Sequence, residues 1–212
     1  MYDTILFDFD GTVFDTVEGI SKSARYAINR LGLDAPLEEL RCFAGPPLVP
    51  MFQEKFGFDY EKAVEATRLF RERYKVQGLH ESRPFPGMKE LLEELRRIGK
   101  KTGIATIKQQ LLAEQLLEEA GMRVLFDVIC GSPLTKSLTK RELAEQAMAQ
   151  LGSDPARTVL VGDTRYDAEG AKEAGIAFIG AGYGYAVPGE LAAAGARQIA
   201  DSVEELAALL LG

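Results

Sequence analysis

The chain has 212 residues, of which 46% are apolar, so it is long enough for one large domain, with or without a small insert, around a proper core. Its formal net charge of −7 argues against nucleic acid or an anionic membrane as a partner, because binding to either rests on clustered lysine and arginine. Cys42 and Cys130 match no metal-ligand spacing, which predicts buried, reduced thiols and a cytoplasmic protein.

The first predicted element is a short buried strand, TILFDF, which ends in acidic residues. No basic flank precedes it, so the amino terminus predicts neither a signal peptide nor a membrane span. Asp8 and Asp10 lie two residues apart, and in an extended segment such side chains point the same way. Carboxylates this close repel each other unless a cation or a proton intervenes, and Mg²⁺ prefers hard oxygen ligands. The pattern favours a magnesium site over a solvent-facing acidic turn.

The segment from 16 to 82 carries only helical patterns, among them GISKSARYAINRLG and YEKAVEATRLFRERYKVQG. It predicts an all-helical cap domain inserted after the first strand. Loops at the carboxyl ends of parallel strands border the ligand crevice, so we expect the insert to act as a lid. The single histidine, His80, lies in a polar stretch and is interpreted as an exposed loop residue, which argues against Ser-His-Asp catalysis and most zinc sites.

Downstream of the insert, short apolar runs alternate with helical patterns. The predicted strands are KTGIAT, FDVIC, TVLVG and IAFIG, and the predicted helices span 87–98, 109–120, 139–151, 166–174 and 202–211. This alternation predicts an α/β fold with a doubly wound parallel sheet. The domain prediction is therefore an α/β core formed by 1–15 and 83–212, with a helical cap formed by 16–82.

Four motifs in order resemble those of the haloacid dehalogenase-like hydrolases along the whole chain. They are an apolar strand ending in D-x-D-G-T (TILFDFDGT), an apolar strand ending in Thr (GIAT), a lysine that opens a helix (TKRELAEQ), and an apolar strand followed by G-D-x-x-x-D (VLVGDTRYD). The matching residues are Asp8, Asp10, Gly11, Thr12, Thr106, Lys140, Asp163 and Asp167. The resemblance implies a Rossmann-like core and a magnesium-dependent phosphatase.

The resemblance also implies a role for each acidic residue. Asp8 would attack phosphorus and form an aspartyl-phosphate, while Asp10 would protonate the leaving oxygen and then deprotonate water. The magnesium ligands would be Asp8, Asp163 and the main-chain carbonyl of Asp10, with Asp167 completing or orienting that shell.

The same resemblance assigns the phosphate-binding groups. Thr106, the amide of Ile107 and the ammonium of Lys140 would bind the non-bridging phosphate oxygens, beside Gly11 and Thr12. Ile107 stands where the family often has a small polar residue, which leaves its amide as the contributing group.

Lys136 is an alternative to Lys140, because the stretch SPLTKSLTKR is shorter than the comparable loop of the family. Lys140 is favoured because it lies at the start of a clear helical pattern.

The insert resembles the small cap of the phosphoglycolate phosphatase-like subgroup. Its loop LRCFAGPPLVPMF makes Arg41, Gly45 and Pro46 candidates for contact with the non-phosphate end of a small phosphorylated metabolite, and Lys108 is a candidate from the core. For Arg41, a solvated helix end is an equal alternative.

Other functions remain open at this level. Asp10 favours a phosphatase over a dehalogenase, which has no leaving alkoxide to protonate, whereas a nucleotidase, a pyrophosphatase and a sugar phosphomutase stay as alternatives. The alternative that is not an enzyme is a receiver-like signalling domain that carries a phosphoaspartate. The D-x-D spacing, the GDTRYD motif and the large insert oppose it. A monomer is the default expectation, and a dimer stays open.

Overall fold

The computed structural model describes residues 2–134 and 138–212. Two compact units are present: Met1–Phe14 together with Pro84–Gly212, and Asp15–Arg83. Each boundary lies one residue from the one predicted from the sequence. The chain therefore leaves the first unit after its first strand and the acidic turn that follows it, and returns to it once.

The first unit is built on a parallel sheet. The strands of the chain are β1 (Thr4–Phe7), β2 (Phe14–Asp15), β3 (Arg83–Pro84), β4 (Lys101–Gln109), β5 (Val128–Ser132), β6 (Thr158–Gly162), β7 (Ala177–Ala181) and β8 (Ile199–Ala200). In the described residues the main sheet has six parallel strands in the order β5-β4-β1-β6-β7-β8, and β2 pairs with β3. Every residue of β1 and of β6 is buried, as expected for strands covered on both faces.

Helices cover both faces of this sheet. The helices of the chain are α1 (Val17–Arg30), α2 (Leu48–Phe56), α3 (Tyr60–Val76), α4 (Met88–Arg97), α5 (Gln110–Glu119), α6 (Lys140–Leu151), α7 (Arg165–Glu173), α8 (Glu190–Ala193) and α9 (Val203–Leu211). Helices α6 and α7 contact each other, as do α4 and α9, and right-handed crossovers place these two pairs on opposite faces. Leu143 and Ala147 of α6 pack with Leu6 and Leu160 in the core.

The second unit is helical. Helices α1 and α2 both contact α3. Asp59 caps the start of α3, and its carboxylate accepts a hydrogen bond from the Lys62 amide. A 3₁₀ segment, Leu37–Phe43, contacts α1. Aromatic rings pack around Phe52, which lies 4.6 Å from Phe43 and 6.3 Å from Phe58 between ring centroids. This unit therefore has an apolar core of its own.

The predicted fold class is confirmed: the chain has an α/β doubly wound parallel sheet with an inserted helical segment. The short elements β2, β3, α8 and β8 were not predicted, and β4 runs three residues beyond KTGIAT. Among the described residues, no helix is both long and apolar enough to cross a bilayer.

The prediction for Cys42 was wrong. Its 3₁₀ segment buries Leu40 and Phe43 but leaves Cys42 exposed, with its thiol donating to the Glu39 carbonyl. Cys130 is buried as predicted, and both thiols are free. His80 is exposed, as predicted, although it lies in a 3₁₀ turn, Gly78–Glu81, rather than in an irregular loop.

Candidate active site

The carboxyl ends of three neighbouring strands bring the predicted residues of the first unit together. Strand β1 lies between β4 and β6, with Phe7 in register with Ile104 and with Val161. Asp8 follows β1 directly, and its amide donates to the Val161 carbonyl at 2.8 Å. Asp163 comes directly after β6, so both acids lie at the same edge of the sheet.

Asp8, Asp163 and Asp167 form a cluster of three buried carboxylates, hereafter the acid cluster. One oxygen of each lies within 4.8 Å of the other two. Their burial is nearly complete, with 6% of Asp8 and none of Asp163 and Asp167 exposed. Three like charges at this separation in a dry site destabilise one another unless a cation or protons compensate them.

Asp163 is held by two other parts of the first unit. The Tyr185 amide donates to its Oδ2 at 2.8 Å, and the Thr12 hydroxyl donates to its Oδ1 at 3.4 Å. The turn before Thr12 requires Gly11, which has a φ of +80° and lies so close that a Cβ there would meet Asp163 Oδ2 at 2.0 Å. The D-x-D-G-T turn therefore packs directly on Asp163.

Asp167 has one oxygen held by its own helix and one directed at a lysine. Thr164, which precedes α7, donates to Asp167 Oδ2 from its hydroxyl at 2.7 Å and from its amide at 3.0 Å. The other oxygen, Oδ1, lies 2.7 Å from Lys140 Nζ in an ion pair. A buried carboxylate oxygen in this position has capacity left for a further ligand.

Lys140 opens α6, where the capping box of Thr139 and Glu142 fixes the helix start. Its ammonium donates to Asp8 Oδ1 at 2.6 Å and to the Ala105 carbonyl at 3.0 Å. Burial disfavours the charged ammonium, but the charges of Asp167 and Asp8 outweigh that effect and raise the pKa of Lys140 above its ordinary value. Lys140 therefore stays protonated beside the predicted nucleophile.

The acid cluster fits a divalent cation. Burial, and then repulsion by Asp167 and Asp8, raise the pKa of Asp163 well above its ordinary value, and burial also raises the pKa of Asp167. Three carboxylates face the single positive charge of Lys140, which leaves two negative charges uncompensated in the cluster. A hard divalent ion with oxygen ligands would neutralise that excess. This set of three oxygen donors is suited to Mg²⁺.

Asp10 lies apart from this cluster and is paired with a different lysine. Its Oδ1 accepts a hydrogen bond from Lys108 Nζ at 2.9 Å. The grouped metal-ligand oxygens come from Asp8, Asp163 and Asp167, so the Asp10 main-chain carbonyl stays a prediction as a ligand.

The second predicted motif lies at the end of β4. Thr106 is buried, and its hydroxyl accepts a hydrogen bond from the Lys108 amide at 3.3 Å. Ile107 packs its side chain against the hydrophobic core, so that its amide, not its side chain, is the group that can serve the site. The phosphate-binding roles of these residues, and of Gly11 and Thr12, stay predictions.

Three predicted substrate contacts lie in the second unit. Arg41 is exposed at the end of the 3₁₀ segment, 3.9 Å from Glu38, and Gly45 and Pro46 follow it before α2. Their contact with substrate stays a prediction. Lys136, the alternative to Lys140, lies outside the described residues.

The loop after β7 contributes two groups to which the sequence assigned no clear role. The Tyr183 hydroxyl donates to the Thr12 carbonyl at 3.0 Å, and its ring packs edge-on against Phe85. Tyr185 holds Asp163 through its main-chain amide. The sequence shows GYGYAVPGEL as a tyrosine- and glycine-rich loop, but a main-chain donor leaves no side-chain signature to find.

Comparison with known proteins identifies the family of this chain. The family model of the haloacid dehalogenase-like hydrolases matches residues 5–181. A 5'-nucleotidase from Pseudomonas aeruginosa is 40% identical over 91% of this chain and 88% of its own length, and a phosphoglycolate phosphatase from Caulobacter vibrioides is 30% identical over 86% and 80%. The crystal structure of a predicted phosphatase from Clostridium acetobutylicum superposes with a TM-score of 0.94 at 36% identity, covering 100% of this chain and 99% of that one. The chain therefore belongs to the haloacid dehalogenase-like hydrolase family and is one of its phosphatases.

Proposed function

We propose that the protein hydrolyses a small phosphate monoester with Mg²⁺ as cofactor and Asp8 as the nucleophile. The observation that carries the proposal is the acid cluster, in which the Asp8 carboxylate lies beside both Lys140 and the two acids that would share the metal with it. Bound Mg²⁺ would be held by Asp8, Asp163 and Asp167 and would offset the negative charge of the cluster and the phosphate.

In the first half of the reaction, an Asp8 oxygen attacks phosphorus as the bond from phosphorus to the ester oxygen breaks. Asp10 gives its proton to that leaving oxygen, so that an alcohol departs and Asp8 carries the phosphoryl group. Lys140 and the amide of Ile107 stabilise the charge on the non-bridging oxygens. The pairing of Lys140 with Asp8 supports this placement.

In the second half, Asp10 takes a proton from water while the water oxygen attacks phosphorus. The bond between phosphorus and Asp8 breaks, inorganic phosphate leaves, and Asp8 returns to its starting state as Asp10 ends protonated. One carboxylate thus forms the covalent bond and its neighbour moves the proton in both directions.

Two substrate classes come first. The sequence resemblance and the Caulobacter vibrioides relative point to phosphoglycolate. The 40% identical relative, named a 5'-nucleotidase, makes nucleoside monophosphates an equally strong candidate class. The cap residues Arg41, Gly45 and Pro46 are proposed to discriminate between them. Phosphate release from both compounds, together with sugar phosphates and pyrophosphate, should be measured with Mg²⁺ present.

The nucleophile is tested by Asp8→Asn, with Asp154→Asn as the matched control. Asp154 is an exposed cap of a 3₁₀ turn, and asparagine caps such turns equally well. We expect Asp8→Asn to lower kcat for 4-nitrophenyl phosphate by about 10⁴-fold or more, since an amide is a far poorer nucleophile than a carboxylate, and Asp154→Asn to keep wild-type turnover. Retained turnover in Asp8→Asn would refute the mechanism.

A further inference from the structure

A second ion pair, between Lys108 and Asp10, lies outside the acid cluster. The Lys108 side chain is 5% exposed and that of Asp10 17%, and their charged atoms are 2.9 Å apart. Removing two charges from water is costly, and breaking such a pair leaves one charge uncompensated. A nearly buried lysine that forms such an ion pair is therefore a constrained group rather than a mobile surface cation.

The backbone at the end of β4 directs Lys108 toward Asp10. The pairing with β5 shifts register between Thr106 and Gln109, so the strand is irregular where Lys108 lies. Within this irregular stretch, the Thr106 hydroxyl accepts a hydrogen bond from the Lys108 amide. Gly131 of β5 makes room for it, because a Cβ there would come within 2.9 Å of the Lys108 carbonyl.

The ring of Phe9 also contacts the Lys108 ammonium. Lys108 Nζ lies 5.5 Å from its centroid, a distance at which an ammonium is attracted to an aromatic face. Phe9 is fully buried and stacks on Phe14, so the ring is fixed. The ammonium is thus held between an immobile ring and the Asp10 carboxylate.

We propose that Lys108 is a positioning residue that holds Asp10 by Oδ1, so that Oδ2 carries the proton that Asp10 gives to the leaving group and later takes back from water. This inference rests on the proposed function and changes the role of Lys108 from substrate contact to partner of Asp10. A positioning role acts on the proton-transfer step, whereas a substrate contact acts on binding, so the two roles differ in which kinetic constant changes.

The test uses phenyl phosphate and 4-nitrophenyl phosphate, which match in shape but differ in how much their leaving group needs a proton. The variants are Lys108→Met, Lys108→Arg and Asp10→Asn, the double variant Asp10→Asn with Lys108→Met, and the control Lys101→Met. Lys101 begins the same strand, but its exposed ammonium binds the Leu151 carbonyl. The ratio of the two rates within one variant does not depend on the fraction of protein that is folded.

For Lys108→Met we expect kcat to fall about tenfold more on phenyl phosphate than on 4-nitrophenyl phosphate, with KM changed less than about threefold. Lys108→Arg, which keeps the charge, should restore most of the lost rate, and Lys101→Met should match wild type. In the Asp10→Asn background, Lys108→Met should add less than about a twofold loss, because the group it positions is gone.

Two results would overturn the inference while wild type stays active. One is a fall in kcat from Lys108→Met that is the same in the wild-type and Asp10→Asn backgrounds. The other is a rise in KM caused by Lys108→Met at constant kcat. Wild-type protein with no turnover of either ester would instead refute the proposed function itself, and this role with it.

Discussion

Two buried lysines serve the site, and their surroundings differ in charge. Lys140, with 4% of its side chain exposed, lies beside Asp8 and Asp167 in a cluster of three carboxylates, whereas Lys108 pairs with Asp10, which is not a member of that cluster. The acid cluster therefore has more carboxylates than its single lysine can neutralise, whereas Asp10 has an ammonium of its own. This difference favours the proposed division of roles, in which a divalent ion binds at one aspartate of the D-x-D motif and the other transfers the proton.

The largest expected effect is a difference in stability between variants of the two lysines. In metal-free protein, Lys140→Met leaves Asp8 and Asp167 buried without their cation, and we expect the free energy of unfolding to fall by about 3–5 kcal/mol. Lys108→Met should cost less than half of that, because Asp10 is partly exposed and water can solvate its charge once the ammonium is gone. Urea unfolding followed by circular dichroism in the presence of a chelator measures both, and equal losses would show that the two environments do not differ.

A smaller effect is the pH dependence of stabilisation by Mg²⁺. The raised pKa of Asp163 means that the metal-free folded state binds a proton more tightly than the unfolded state does, so this group's contribution to stability is present at low pH and is lost as pH rises through its folded pKa. Mg²⁺ requires the ionised carboxylate, so the gain in Tm on adding Mg²⁺ should grow between about pH 5 and about pH 8.

The control for that measurement is Asp163→Asn, which removes the titrating group and one ligand. Its Tm should respond little to Mg²⁺ at either pH, and without metal it should exceed that of wild type, since a buried charge is gone. A Tm gain in wild type that does not change with pH would contradict the proposed link between Asp163 and the metal.

Much of the fold could be predicted because buried parallel strands are short apolar runs. The run TVLVG coincides with β6, and TILFDF contains β1, so the edge of the sheet that carries Asp8 and Asp163 followed from the pattern. The elements α8 and β8 have four and two residues, too few to show a helical or strand period. The prediction that Cys42 is buried was wrong because composition does not tell which side of a short 3₁₀ segment faces the solvent.

The contacts within the site were less accessible to sequence reasoning. Lys108 and Asp10 are 98 positions apart, and the strand irregularity that joins them has no local signal. The resemblance named Lys140 through its helix start, but its hydrogen bond to the Ala105 carbonyl depends on how α6 packs against β4. Motifs thus give residue types and order, whereas tertiary packing decides which acid each lysine pairs with.

The smallest expected effect concerns the turn that links the two acids of the D-x-D motif to Asp163. The half-buried Tyr183 donates to the Thr12 carbonyl, and burial raises the pKa of this phenol, so it remains a donor at neutral pH. Tyr183→Phe removes one hydrogen bond and keeps the ring against Phe85, which should cost about 1 kcal/mol of unfolding free energy. If the bond also fixes Thr12 against Asp163, the Mg²⁺ concentration for half-maximal activity should rise while kcat at saturating Mg²⁺ stays near wild type. An unchanged metal requirement with the same loss of stability would show that this hydrogen bond supports the fold and not the acid cluster.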